Sequence, residues 1–208
     1  MKTSLLFTLA LSTALALRAQ EPAPLSAEEL SKATTLLMEA NSRLGEQPLK
    51  LELAPQQAAG LKAGEAGALI IPDKRFKFEK ADKANRKKTK GEAMPVGQLW
   101  TSKLAPKDKE AVLANDKLRL VKVQAGDKEL ELAVFSLGVE KAGKREFQLA
   151  LYGKGSTPVL RVPLTADKAK GAAPVVMSAR KTAEEAGVIE LKLLGRFRAE
   201  IPVGKQAE

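Results

Sequence analysis

The chain has 208 residues, a formal charge of +10, 44% hydrophobic but only 4% aromatic residues, and neither cysteine nor histidine. Without thiol or imidazole, structural zinc, iron–sulfur clusters, haem ligation by Cys or His, thiol redox chemistry and any His-based catalytic triad are excluded. Its length fits one domain that buries a core without disulfides or metals; no aspartate-rich loop has calcium spacing, so neither metal nor cofactor is expected.

Lys2, the apolar run from Leu5 to Leu17 and the small residues Ala14, Ala16 and Ala19 follow the pattern of a signal peptide, with cleavage expected near Ala19. The run falls short of the about 20 apolar residues that span a bilayer comfortably. No later segment reaches that length, and the mature chain is expected to be secreted or periplasmic with no transmembrane span. Residues 20–48 form a leader and a helix. Gln20 to Leu25, rich in Pro and Ala, is expected to be flexible. Ser26 and Glu29 then make a capping-box pattern, and Leu30, Ala33, Leu37, Ala40 and Leu44 recur at steps of three and four. That spacing predicts an amphipathic helix docked on its own domain and stopped by Gly45 and Pro48.

Residues 49–208 carry the signals of a β domain. Leu49, Leu51 and Leu53 alternate with Lys50 and Glu52, which predicts a strand ended by Pro55. A glycine-rich turn with Gly60, Gly64 and Gly67 feeds a short buried strand from Ala68 to Ile71. These glycines are not followed by a helix start, so they do not make a phosphate cradle.

From Lys74 to Lys90 the composition changes abruptly. Lys74, Arg75, Lys77, Lys80, Lys83, Arg86, Lys87, Lys88 and Lys90 are opposed only by Glu79 and Asp82, so seven of the ten net charges lie in seventeen residues. A run of this kind repels itself and predicts an exposed loop. With Phe76 and Phe78 beside it, it is also the candidate anion-binding segment, for a nucleic acid, an anionic glycan or a lipid headgroup.

Val96 to Leu104 predicts a strand with Trp100 as a core or edge anchor, ended at Ala105-Pro106, with one or two helical turns expected within Lys107–Asn115. Leu118 to Leu164 then predicts four strands of an antiparallel meander, because its connections are too short to cross over. The alternation of Leu130, Leu132 and Val134 shifts phase to Phe135, Leu137 and Val139, and a similar shift occurs at Leu120-Val121. Both predict a bulge or a strand crossing between layers. Thr165 to Pro174 is a polar connection to Val175–Met177, and Thr182 to Gly187 is the next turn. Finally, Ile189, Leu191, Leu193, Gly195, Phe197, Ala199, Ile201 and Val203 share one parity. A two-residue loop at Leu194-Gly195 would set charges against leucines, so one long bent strand is preferred, with a three-residue loop as the alternative.

Ser178 and Lys181 match the Ser-x-x-Lys spacing of penicillin-recognising acyl enzymes, but on a strand their side chains point to opposite faces and the companion motifs are absent. The expectation is therefore an all-β antiparallel sandwich of about nine or ten strands with one N-terminal helix, a closed barrel being the alternative. The functional expectation is an exported, non-enzymatic binding or structural domain that engages a protein or envelope polymer. The alternatives are a polyanion binder acting through the basic loop and a carboxylate-based hydrolase, and no catalytic residue is assigned.

Overall fold

The computed structural model describes residues 21–76, 93–143, 146–167 and 173–207. They form one helix and fourteen strands, three of only two residues, in two antiparallel sheets. In chain order these are β1 (Ala23–Pro24), α1 (Ala27–Ser42), β2 (Ala59–Ala63), β3 (Ala66–Pro72), β4 (Met94–Ser102), β5 (Leu104–Asp108), β6 (Ala111–Val112) and β7 (Arg119–Ala125). The second half adds β8 (Lys128–Lys141), β9 (Phe147–Tyr152), β10 (Leu160–Pro163), β11 (Thr165–Ala166), β12 (Val175–Ala183), β13 (Ala186–Leu193) and β14 (Phe197–Lys205).

The first sheet runs β1-β2-β3-β4-β8-β9-β10, with β7 paired to the N-terminal half of β8 beside β9. The second runs β12-β13-β14-β5-β6, with β11 also on β14. Neither closes on itself among the described residues, so the fold is the expected sandwich and not the barrel. Leu99, Phe135, Leu137, Leu149 and Leu151 of the first sheet share one core with Met177, Ile189, Leu191, Leu193 and Ile201 of the second.

The outward face of the first sheet is covered by α1. Leu37 and Ala40 of the helix pack on Leu69, Ile71, Trp100, Val123, Leu132 and Val134, and Leu30, Ala33 and Leu44 join at the margin. Both halves of the Ser26/Glu29 capping box are formed. Gln98 pins the C-terminal end of the helix, donating to Asn41 Oδ1 at 2.8 Å and Gln47 Oε1 at 3.0 Å, while its own Oε1 accepts from Trp100 Nε1 at 2.9 Å. A fully buried amide thus has its partners, as burial demands.

This second covered face explains the phase change at Val134-Phe135, which is neither bulge nor crossing. Along β8, Leu132 and Val134 face the helix while Ala133, Phe135, Leu137 and Val139 face the other sheet. The strand runs straight, and what changes is which face is covered. The same account holds for Leu120 and Val121 on β7. The one irregularity beside β8 lies in β4, between Pro95 and Gly97. There a Cβ on Gly97 would stand 2.4 Å from the Ile71 carbonyl oxygen, so only glycine fits.

The antiparallel hairpins β7-β8, β8-β9 and β9-β10 all form, but not a four-strand meander: β4 takes one edge of the fourteen-residue β8, and β7 and β9 share the other, end to end. The long bent strand does not form: β13 and β14 make a hairpin through Leu194, Gly195 and Arg196, with Leu193 opposite Phe197 and Leu191 opposite Ala199. Leu194 and Gly195 both take positive φ, and the odd-length loop keeps apolar residues opposite apolar ones.

Four further expectations are corrected. Leu49, Leu51 and Leu53 form no strand beyond a single bridge from Leu53 to Asp73. Their segment lies across the outward face of the first sheet, where Leu49 Cδ1 would stand 3.0 Å from a Cβ on Gly138. The glycine-rich stretch before Ala68 contains β2, paired with β3 through a turn at Gly64. Lys107–Asn115 is not helical, because Pro106, expected to end a strand, lies inside β5, which pairs with β14 and turns back as β6. Pairing to a neighbour overrides local preference here. The leader is held at Ala23 and Pro24, which pair with Lys62 and Leu61. The segment assigned as signal peptide lies outside the described residues, and no helix among the described residues is long and apolar enough to cross a membrane.

Candidate functional site

The inward rows of the sandwich end differently at its two ends. At one end they finish on Phe147 and Phe197, whose rings meet edge to face with centroids 6.0 Å apart. At the other end the inward residues become small: Ala63 on β2, Ala66 and Ala68 on β3, Ala179 on β12 and Gly187 on β13. Small residues on facing strands cannot fill the space between two sheets about 10 Å apart. A cleft of about 480 Å3 results, with Leu61, Leu104, Ile189 and Val203 on its apolar walls. Its volume is that of a small-molecule site, ~300–1,000 Å3.

Lysines close three inward rows at this mouth. Val175, Met177 and Ala179 are followed on the same parity by Lys181, Ala199, Ile201 and Val203 by Lys205, and Leu99 and Thr101 by Lys103. Lys181 lies opposite Gly187, so no side chain projects beside it from the neighbouring strand. Lys103 is the single residue between β4 of one sheet and β5 of the other, and it takes φ of 58°. The corner is held by Thr101 Oγ1, which donates to the Leu104 carbonyl at 2.7 Å, and by the Gln206 amide, which donates to the Lys103 carbonyl at 3.1 Å.

Five cationic side chains line the cleft, Lys62, Lys103, Arg180, Lys181 and Lys205, against Glu65, Glu184 and Glu185. Three of the cations are engaged. Lys62 pairs with Glu29, Arg180 with Glu200 at 3.3 Å and Lys205 with Glu185 at 3.0 Å. The hydrogen bond from Lys62, followed by those from Ser26, holds the Glu29 carboxyl down at about 2. Among the described residues, Lys103 and Lys181 make no ion pair.

Of the predicted anion-binding residues, only Lys74 and Arg75 are among the described ones. Lys77, Lys80, Lys83, Arg86, Lys87, Lys88 and Lys90 lie outside the described residues, as does Phe78. Lys74 and Arg75 sit at the root of the run, at the Phe147/Phe197 end, and both are occupied. Lys74 pairs with Glu52 at 2.6 Å, and Arg75 is clasped by Asp73 through its backbone amide at 2.8 Å, its Nε at 2.9 Å and its guanidinium at 2.8 Å. The Asp73 side chain is wholly buried. Burial pushes its carboxyl up, but the hydrogen bonds from Arg75 and from the Glu52 and Arg75 amides outweigh that and hold it below the ordinary aspartate value. Phe76 is buried in the main core, so its ring is not open to stacking.

Glu140 is the second buried carboxylate. It accepts from Tyr152 Oη at 2.6 Å, Arg161 Nε at 2.9 Å and Gln148 Nε2 at 3.1 Å. Burial raises its pKa, and these donors, Tyr152 first, bring it below the usual glutamate range. Burial, reinforced by the Glu140 carboxylate, pushes the Tyr152 hydroxyl well above its ordinary value. Asp73 and Glu140 are both saturated with donors and ionised, which suits them to holding structure and not to donating a proton.

The alanine-lined cleft escaped the reading of the sequence, although a signal for it was present: a lysine at the next same-parity position after an apolar row, as in Ile201-Pro-Val203-Gly-Lys205. No family model, no curated protein and no solved structure matches the chain.

Proposed function

We propose that the protein is an exported, non-enzymatic binding domain whose site is the cleft at the open end of the sandwich. The observation that carries this reading is the cleft itself: about 480 Å3 between two sheets, floored by alanines where the rest of the core is filled by Leu, Ile and Phe. Concave, mostly apolar sites with a few polar groups at the rim are where small ligands bind. An apolar ligand portion placed there would gain about 0.8 kcal/mol for each methylene removed from water.

The test is a homologous series of n-alkanols titrated by calorimetry. Affinity should rise roughly fourfold per methylene until the cleft is full and then level off. Ala179→Phe, which fills the throat, should abolish binding. Absence of binding, or equal binding by the filled variant, would end the proposal. Export is tested separately: the secreted or periplasmic protein should begin near Gln20, by intact mass.

A second reading, polyanion binding through the basic run, is supported by its composition, nine cations in seventeen residues. It is also supported by its rooting, since β3 ends at Pro72, β4 begins at Met94 and Asp73 fixes the exit from β3. Affinity for heparin, single-stranded nucleic acid or anionic vesicles should fall roughly 100-fold between about 50 and 200 mM salt if about five phosphates are engaged. Replacing Arg86, Lys87, Lys88 and Lys90 by Gln should remove most of that binding without unfolding the domain. No binding at low salt, or none lost in the Gln variant, would retire this reading.

A further inference from the structure

An open sheet edge is a row of unpaired N–H and C=O groups, and proteins guard such rows with proline, charge or shortness. Backbone groups alternate sides along a strand, so one known bond fixes which residues face outward. On β1 the Leu25 amide donates to the Gly60 carbonyl at 2.9 Å, which turns Pro24 outward with no N–H to offer. On β10 the Leu164 amide donates to the Phe147 carbonyl at 2.9 Å, which turns Arg161 and Pro163 outward. β7 closes on β8 through the turn at Gly126-Asp127, which turns the charged Lys122 outward.

The edge at β12 differs. The Pro174 carbonyl accepts from the Leu194 amide at 2.8 Å, so Val176, Ser178 and Arg180 turn their backbone groups to β13. The N–H and C=O groups of Val175, Met177 and Ala179 therefore face the open edge, and no strand pairs with them among the described residues. Neither proline nor charge stands in that row before Lys181, beside the irregularity between Lys181 and Ala183. The row runs into the cleft, which Ala179 and Lys181 line from β12 while Pro22 and Lys62 line it from the β1-β2 side of the first sheet.

We infer that this edge takes an extended segment of a partner polypeptide as an added strand on β12, with alternate apolar side chains of that segment entering the cleft. This rests on the cleft reading above and names its ligand class. Main-chain bonds to β12 hold the segment, and the alanine-lined space selects its side chains. A second copy of β12 does not suit the role, because its own inward side chains, Val175 and Met177, are buried in the core of that copy. At the lip Lys103 and Lys181 are balanced by Glu65 and Glu184, all four without an ion pair among the described residues, so the segment that suits it carries no net charge.

The experiment titrates the mature chain by calorimetry with a blocked peptide of alternating threonine and valine, about seven residues long, and with n-octanol as the probe of the cleft alone. N-methylation of one alternate set of peptide amides should weaken binding about tenfold or more, and of the other set leave it unchanged, because only alternate amides face β12. Ala179→Pro removes one N–H from the open row and none from the ladder to β13. Its melting temperature should stay near the parent's while peptide binding falls about tenfold; should it misfold, the methylated peptides still decide. Equal tolerance of both methylated sets, or parent-like peptide binding by a folded Ala179→Pro, would overturn the added strand. Octanol binding without peptide binding overturns it while the cleft stands, and peptide binding of that parity without octanol keeps the strand and ends the small-molecule reading. If neither binds, both fall. A dimer of the protein alone that Ala179→Pro dissolves would give the edge to a second copy and overturn the partner assignment.

Discussion

Strand β14 begins on Phe197 and ends on Lys205, and between those residues its inward row is Ala199, Ile201 and Val203. At its first end the sandwich is shut by the Phe147/Phe197 pair; at its last it stands open above an alanine floor. Along β14 the pairing is the same at both ends, in unbroken antiparallel register, although its sheet carries an irregularity at the open end, in β12 between Lys181 and Ala183. Along that strand the difference lies in side-chain volume and charge at the last inward positions. A sandwich closes where its final residues are large and apolar, and leaves a cleft where they are small.

The largest expected effect sharpens the comparison by striking midway between the ends. Leu191→Glu places a carboxylate at a position with no solvent exposure and should cost several kcal/mol, enough to threaten folding. Lys192→Glu, one residue on and facing outward beside Asp167 and Glu190, should cost about 1 kcal/mol or less. The measurement is the urea midpoint of each variant, and equal midpoints would refute the facing of β13.

The closed end also carries the buried carboxylates, and its stability should depend on pH. Asp73 and Glu140 have folded pKa values below their ordinary ones. A depressed carboxylate stabilises the fold above its unfolded value, about 3.9 for Asp and 4.3 for Glu, and that contribution is lost as pH falls through the folded value. Stability should therefore be flat near neutrality and decline below about pH 4. Glu140→Ala should cost about 2–4 kcal/mol at pH 7, because Arg161 and Tyr152 lose their common acceptor. Its acid decline should be shallower than the parent's. A variant as acid-sensitive as the parent would show that Glu140 does not contribute to the pH dependence.

How much of this was legible depends on what each element buries. The capping box, the helix stripe and the hairpins from β7 to β10 could be read because their apolar residues alternate with polar ones at the helix or strand period, whereas the sharing of one edge of β8 by β7 and β9 leaves no such mark. Where a strand is covered on both faces, as β8 is from Ala133 to Val139, alternation disappears and its loss resembles a bulge. β5 was missed because Leu104–Asp108 contains a proline and takes its strand conformation from β14. The cleft left little mark in the sequence because its floor is alanine, a residue that carries no pattern, and because the lysines that end its rows break the apolar alternation that identifies an inward face.

A volume test addresses the comparison directly and has a smaller expected effect. Ala199 is fully buried mid-strand on β14, so Ala199→Leu should overpack the core and cost about 1–3 kcal/mol. Ala179 is half-buried on the cleft wall, so Ala179→Leu should be neutral or stabilising by up to about 1 kcal/mol, since it fills space without displacing anything. Equal costs, read from denaturant midpoints, would mean that the mouth is as tightly packed as the centre.

The smallest effect concerns the corner at Lys103. Its φ of 58° places the backbone where a Cβ is unfavourable by roughly 1–2 kcal/mol and where glycine is at ease. Against that relief, glycine gains freedom in the unfolded chain and loses roughly 0.5–1 kcal/mol on folding. The contacts that hold the corner, from Thr101 Oγ1 to the Leu104 carbonyl and from the Gln206 amide to the carbonyl at 103, do not involve the lysine side chain. Lys103→Gly should therefore leave stability unchanged or raise it by up to about 1 kcal/mol, measured as a melting temperature equal to or slightly above the parent's. A clear loss of stability would assign Lys103 a structural role at the junction of the sheets, and the contrast between the closed end and the open one would then have to count this lysine among the groups that hold the fold.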